Sequence, residues 1–163
     1  VDDMYQYFFG TNSYHVIKNT DCPVLVVPEN ARFKEIRKII FAWDYKPKSK
    51  ITFSVLENFM SELHPYFTFL HVSKQKTGIS HDVFGAIRNE VETLFGDDND
   101  HIDFAHAYSD DIAGCINSYM IESKADILAL TYYDRGLIGN IFHGTVAKEL
   151  SATAIYPILV LHN

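Results

Sequence analysis

The sequence has few cysteines, no long hydrophobic run and no surplus of basic residues, and each of these absences excludes a class of protein. Its two cysteines, Cys22 and Cys115, lie far apart without metal-ligand spacing, so neither a disulfide framework nor a zinc ribbon is expected, and a reducing cytoplasm fits best. The apolar runs fall far below the ~20 residues of a membrane-spanning helix, so no membrane contact is expected. A formal net charge of −7, without a local cluster of lysine and arginine, argues against nucleic acid as a partner.

Motifs of catalysis and metal binding are also missing. No Gly-x-Ser-x-Gly elbow, no Walker phosphate loop and no cysteine with a paired histidine is present, so we expect no catalytic residue and no enzymatic activity. His101 and His106 are an odd number of positions apart on a predicted strand and should point to opposite faces. The acidic stretch 97–100 lacks the spacing and central glycine of a calcium loop. We therefore expect no metal site.

What the sequence does contain is an alternation of strand and helix patterns within a length, 163 residues, that suits one domain core. Short apolar segments rich in β-forming residues predict five strands, at 37–43, 66–72, 102–108, 125–131 and 157–161. Apolar residues recur at helical spacing between them, in the sets Ile51, Val55, Phe59 and Leu63, then Val83, Ile87, Val91 and Leu94, and then Ile112, Ile116 and Tyr119. A fourth helix is expected from Gly144, and Asp110 or Asp111 is the expected N-cap of the third. The alternation predicts an α/β fold, a parallel sheet with helices on both faces.

An internal repeat accounts for the first residues of the chain. A shift of 134 positions aligns residues 8–27 with 142–161 without a gap and with six identities, among them Pro23 with Pro157 and Leu25 with Leu159. Residues 1–28 are therefore interpreted as the last helix and strand of a first domain, and residues 33–163 as a complete second copy. The alternative is an N-terminal extension that is apolar by chance.

These segments resemble the universal stress protein family in its tandem form. The resemblance covers essentially the whole chain: a first strand that ends at Asp44, a second that ends at Val72, the fourth-strand sequence Ala-Asp-Ile-Leu-Ala-Leu and a Gly-Thr-Val helix start. It implies an adenine-nucleotide alpha-hydrolase-like fold with five parallel strands in the order 3-2-1-4-5. It also implies that the last strands of the two domains pair antiparallel, here 24–27 with 158–161, within the chain or between two chains.

The resemblance places three candidate nucleotide contacts at the ends of the first two strands. Asp44 matches the aspartate that contacts adenosine in the family, Ala42 precedes it, and Val72 stands at the position that flanks the base. For Asp44 the alternative is a strand-end carboxylate that caps a local turn.

The phosphate-binding motif of the family is only half present. Nucleotide-binding members carry Gly, two residues, Gly, nine residues and then Gly-Ser or Gly-Thr, and the two earlier glycine positions are held here by Thr131 and Asp134. A β-branched residue is stiff, and a carboxylate repels a triphosphate unless Arg135 or a metal offsets it. Gly144 and Thr145 are kept, although a simple helix start would explain them equally well.

Two functions follow as hypotheses from different classes. The first is a non-enzymatic, cytoplasmic stress-response module that acts through dimerisation or partner binding, with weak or lost nucleotide binding. The second is a domain that binds ATP with Mg and hydrolyses it slowly or not at all.

Overall fold

The protein is described by a computed structural model, which defines residues 12–13, 15–32, 34–43, 55–56, 58, 61–74, 85, 88–89, 91–93, 100–132 and 155–162. These residues form one six-stranded sheet. The strands are β1 Val24–Val26, β2 Lys38–Ala42, β3 Tyr66–Ser73, β4 Ile102–Tyr108, β5 Ile127–Tyr132 and β6 Ile158–His162. Their order across the sheet is β1-β6-β5-β2-β3-β4.

The predicted strand order is confirmed. The strands β2 to β6 are the five predicted ones, all four of their pairings are parallel, and their order is 3-2-1-4-5 with β2 in the centre. The sheet has a sixth strand because β1 pairs antiparallel with β6, in the register Leu25 opposite Leu159. The predicted antiparallel pairing of the last strands is therefore found within the chain, between Val24–Val26 and residues 158–160.

Alternation along the central strands supplies two apolar faces. Successive side chains of a strand point to opposite faces of the sheet. Face A carries Ile40, Leu70 and Leu128, and face B carries Phe41 and Phe69, which neighbour them along the strands. Both faces of β2 are buried, which is expected of a central strand in a parallel sheet. On face B, the rings of Phe41 and Phe69 meet edge to face with their centroids 5.7 Å apart.

Helix Ile112–Glu122 covers face A and begins at the predicted cap. The side chain of Asp111, one of the two expected N-caps, accepts a hydrogen bond from the backbone N–H of Gly114 at 2.9 Å. Ile112 and Ile116 are buried as predicted, whereas the predicted Tyr119 is only half-buried and Met120 beside it is fully buried.

Among the described helical residues 55–56, 58 and 61–63, the predicted Val55 is partly buried against the core of face B, beside Leu56, which was not predicted. Leu56 is fully buried on face B, whereas the predicted Leu63 is 43% exposed. This helix ends before His64, whose positive φ of 47° breaks the helical geometry ahead of Pro65. Val91 is buried on face B as predicted. The other members of these two predicted periods lie outside the described residues: Ile51, Phe59, Val83, Ile87 and Leu94.

The residues before β1 are attached to the last strand. Residues 15–18 are helical, and Ile17 is fully buried in the core of face A. The Nε2 atom of His162, at the end of β6, donates a hydrogen bond to the carbonyl of Ile17 at 2.7 Å.

Within the part of the chain that the structure describes, no helix is long and apolar enough to cross a membrane.

Candidate functional site at the carboxyl edge of the sheet

Ligands of open parallel sheets bind beyond the carboxyl ends of the strands, where the strand order reverses. Here the order reverses between β2 and β5, which are hydrogen-bonded neighbours with Phe41 opposite Ala129. The carboxyl ends of these two strands, with the adjacent end of β3, therefore define the candidate site.

Two predicted site residues lie together on face A of this edge. Ala42 is the last residue of β2, and Val72 is the penultimate residue of β3. Both are buried in the same apolar cluster. The pairing of Ala42 with Leu70 places Val72 two residues further along the neighbouring strand. The structure thus brings these two residues to one small apolar corner of the edge.

Thr131 lies on the opposite face. It is the penultimate residue of β5, paired with Leu161 of β6, and it shares the parity of Ala129 on face B. Its backbone is part of the sheet and its side chain is half-buried. The Oγ1 atom is buried and has no hydrogen-bond partner among the residues that the structure describes. Thr131 and Ala42 therefore lie at the same edge of the sheet but on opposite faces of it.

The other predicted site residues cannot be placed. Asp44, Arg135, Gly144 and Thr145 lie outside the described residues, as does Asp134. Their roles stay predictions.

A polar group that the sequence analysis missed occupies face B at the carboxyl ends of β3 and β4. The parallel register sets His71 opposite His106, with their ring centroids 5.4 Å apart. His106 also contacts Ser73, with Nε2 and Oγ 3.1 Å apart, and the ring of Tyr108, with centroids 4.4 Å apart. Periodicity within each strand predicts that His71 and Ser73 share a face, and that His106 and Tyr108 do. Only the register of β3 against β4 brings the two pairs into contact.

The orientation of His71 is set by the end of β2. Its Nδ1 atom donates a hydrogen bond to the carbonyl of Trp43 at 2.7 Å, which requires a proton on Nδ1. The ring of Trp43 packs edge-on against Phe69, as expected for a packing residue. Burial lowers the pKa of His106, which favours the neutral form of its ring.

The polar group offers hydrogen-bonding and aromatic contacts. His101, which was expected to point away from His106, lies at the opposite edge of the sheet against Tyr66. Nowhere among the described residues do three or more histidine, cysteine, aspartate or glutamate side chains come together as metal ligands.

No protein-family model matches the chain, and no curated protein matches it. Solved structures do. A universal stress protein from Archaeoglobus fulgidus matches over 97% of this chain with a TM-score of 0.65 and 12% identity. A structure assigned to the universal stress proteins from Pseudomonas aeruginosa matches over 91% with a TM-score of 0.53 and 17% identity. The hypothetical protein MJ0577, a test case for assigning biochemical function from structure, matches over 80% with a TM-score of 0.53 and 14% identity.

These matches show that the chain has the fold of the universal stress proteins, as the resemblance in the sequence predicts. The lengths of the matched chains differ. This chain spans 56% of the Archaeoglobus protein and 55% of the Pseudomonas protein, but it covers 98% of MJ0577.

Proposed function

We propose that the chain is a universal stress protein module that acts in the cytoplasm through dimerisation or partner binding, with no enzymatic activity and with weak or lost nucleotide binding. The observation that carries the proposal is the strand pairing and side-chain burial of Thr131. In this chain it stands where nucleotide-binding members of the resembled family have the first glycine of their phosphate motif, and it is a paired strand residue with its side chain turned to face B.

A glycine at that position would leave room for a phosphate to approach the backbone closely. Thr131 instead places a stiff, β-branched side chain beside the backbone, and its Oγ1 is buried rather than presented to a ligand. The pairing with Leu161 holds the backbone in an extended conformation. Asp134 at the second glycine position would add negative charge to a chain of net charge −7, which disfavours a triphosphate.

The second candidate is a domain that binds ATP with Mg. It is favoured by the position of Ala42 and Val72, which lie together at the edge where the strand order reverses. Their small apolar corner would suit one side of a base, and Asp44 follows two residues after Ala42 in the sequence.

An equilibrium titration by calorimetry with ATP and MgCl₂ separates the two candidates. Binding weaker than micromolar supports the proposal, whereas a micromolar or tighter dissociation constant supports the ATP-binding domain. Phosphate release, measured in parallel, should not exceed that of the buffer.

A pair of variants tests whether the altered motif is the cause. The double substitution Thr131→Gly and Asp134→Gly restores both glycine positions and should tighten binding of ATP by about tenfold or more, equivalent to about 1.4 kcal/mol. Thr131→Val keeps the branched shape and is the matched control, with no change expected. If the double variant binds ATP no better than the control, the motif does not explain weak binding.

A further inference from the structure

The polar group at the carboxyl ends of β3 and β4 contains a pair of histidines on neighbouring strands. The parallel register sets His71 directly opposite His106, and their ring centroids are 5.4 Å apart. Because residues opposite each other on one face are positioned by the backbones of both strands, the sheet itself holds the two rings at this spacing. Both side chains are half-buried, and Tyr108 beside them is 46% exposed, so the pair lies within reach of solvent.

The hydrogen bond made by His71 is of the kind that orients a metal ligand. Its Nδ1 atom donates to the carbonyl of Trp43 at 2.7 Å. In a neutral imidazole that carries its proton on Nδ1, the lone pair is on Nε2. Histidines that bind metal ions usually donate the other ring N–H to a backbone carbonyl or a carboxylate, which fixes the ring and raises its basicity. The end of β2 therefore orients His71 as a ligand through Nε2.

The contact of His106 directs its Nε2 atom towards the strand of His71. This atom lies 3.1 Å from Oγ of Ser73, which follows His71 by two positions on β3. Burial lowers the pKa of His106 and so favours the neutral ring that a metal ion requires. The hydroxyl of Ser73 can both donate and accept, so it can yield Nε2 to an ion and accept a hydrogen bond from water bound to that ion.

The spacing of the two rings suits one ion between them. Zinc binds imidazole nitrogen at about 2.0–2.1 Å with tetrahedral geometry, which sets the centroids of two ligating rings about 5 Å apart. The observed separation of 5.4 Å is close to this value. Imidazole is a ligand of zinc, copper and nickel ions, whereas magnesium prefers oxygen.

We propose that His71 and His106 bind one divalent transition-metal ion of the zinc and copper class through their Nε2 atoms. Since the described residues bring no third histidine, cysteine, aspartate or glutamate to the pair, water completes the coordination. The site lies on face B, whereas Ala42 and Val72 lie on face A, so it is separate from these candidate nucleotide contacts. The sequence-based expectation of no metal site considered other groups, and the pair formed with His71 was not among them.

Calorimetric titration with ZnCl₂ tests the site. His71→Gln and His106→Gln should each weaken zinc binding by about tenfold or more, a loss that even residues supporting a metal ligand commonly produce. His101→Gln is the matched control, with no change expected, since His101 precedes β4 at the opposite edge of the sheet. Equal affinity in the unsubstituted chain and in either variant of the pair overturns the inference. So does the absence of zinc binding by the unsubstituted chain, or binding of MgCl₂ that depends on the same two histidines.

A second measurement uses only the unsubstituted chain, so it decides the question even if a histidine variant fails to fold. Substoichiometric CuCl₂ broadens the NMR signals of nuclei close to the paramagnetic ion. The ring signals of His71, His106 and Tyr108 should broaden before those of the other histidines. Earlier broadening at another histidine overturns the inference. Neither experiment contains ATP, so their outcome is independent of the titration that tests weak nucleotide binding.

Discussion

The ammonium group of Lys34 lies 2.6 Å from the carboxylate of Asp126, at the amino edge of the sheet. The same carboxylate accepts hydrogen bonds from the backbone N–H groups of Arg37 and Lys38 at 2.8 and 2.9 Å. Asp126 precedes β5, and the other three residues lie on the segment that leads into β2. One buried side chain therefore joins the chain entering the central strand to the neighbouring strand.

Asp126 should make the free energy of unfolding depend on pH in the acidic range. Burial alone would raise the pKa of Asp126, but the hydrogen bond from Lys34, those from the two backbone amides and the charge of Lys34 lower it overall. A lowered pKa in the folded state stabilises the protein at pH values above the unfolded pKa of about 3.9, and this contribution is lost as the pH falls below it.

Asp126→Asn should therefore lower the free energy of unfolding at pH 7 by about 1–3 kcal/mol, and the difference from the unsubstituted chain should shrink towards pH 3. Urea unfolding at pH 7, 5 and 3 measures both quantities. Glu35→Gln is the control, since Glu35 contacts Arg37 on the surface and its loss should change stability by less than about 0.5 kcal/mol. A difference for Asp126→Asn that is as large at pH 3 as at pH 7 would contradict the assignment.

Substitution by alanine should have opposite effects on stability at Gly114 and Gly85. A Cβ added to Gly114 would collide with the carboxylate of Asp111, whose Cγ atom would be only 2.8 Å away, whereas a Cβ added to Gly85 meets nothing within 4 Å. Gly114→Ala should displace the cap of helix Ile112–Glu122 and destabilise the protein by about 1 kcal/mol or more. Gly85→Ala should stabilise by up to about 1 kcal/mol, since residue 85 is helical. Thermal unfolding of both variants is the measurement, and equal shifts would refute the difference.

Tyr156 should make the free energy of unfolding depend on pH in the alkaline range. Its hydroxyl donates to Oδ1 of Asn117 at 2.9 Å, and burial raises the pKa of Tyr156 to about 12. Because the folded state holds this proton more tightly than the unfolded state, stability should fall as the pH rises from about 10 to 12. Tyr156→Phe should flatten this decline in denaturant unfolding, and Tyr66→Phe, at a residue 59% exposed, should leave it unchanged. A decline of equal slope in all three proteins would rule out Tyr156 as its source.

The strands were predictable because their apolar segments are short, β-rich and separated by helical patterns. Residues 102–108 match β4 to the residue, and β2 differs from its predicted range by one residue at each end. The buried helix residues were less predictable. Val55 and Leu56 both contact the core of face B, and sequence spacing alone does not decide that Leu56 is the fully buried one.

The candidate site was predictable only in its location. The position of the strand ends and of the order reversal follows from the topology, and Ala42 and Val72, which the family resemblance indicates, lie at that edge. The contact of His71 with His106, which are 35 positions apart in the sequence, depends on the register of β3 against β4, and periodicity within one strand does not specify it. The face of Thr131 likewise follows from its parity with Ala129 in the observed strand.

The buried hydroxyl of Thr131 gives the last prediction. Because Oγ1 has no hydrogen-bond partner among the described residues, the folded state bears the cost of removing it from water without compensation. Thr131→Val retains the shape and replaces the hydroxyl by a methyl group, so it should raise the free energy of unfolding by up to about 1–2 kcal/mol. Thr131→Ser retains the hydroxyl and removes the methyl group, so it should lower it by about 1 kcal/mol. Urea unfolding at neutral pH compares the two variants. If Thr131→Val is the less stable of the two, the hydroxyl is hydrogen-bonded in solution, and the branched shape of Thr131 and its pairing with Leu161 are then what disfavour a phosphate there.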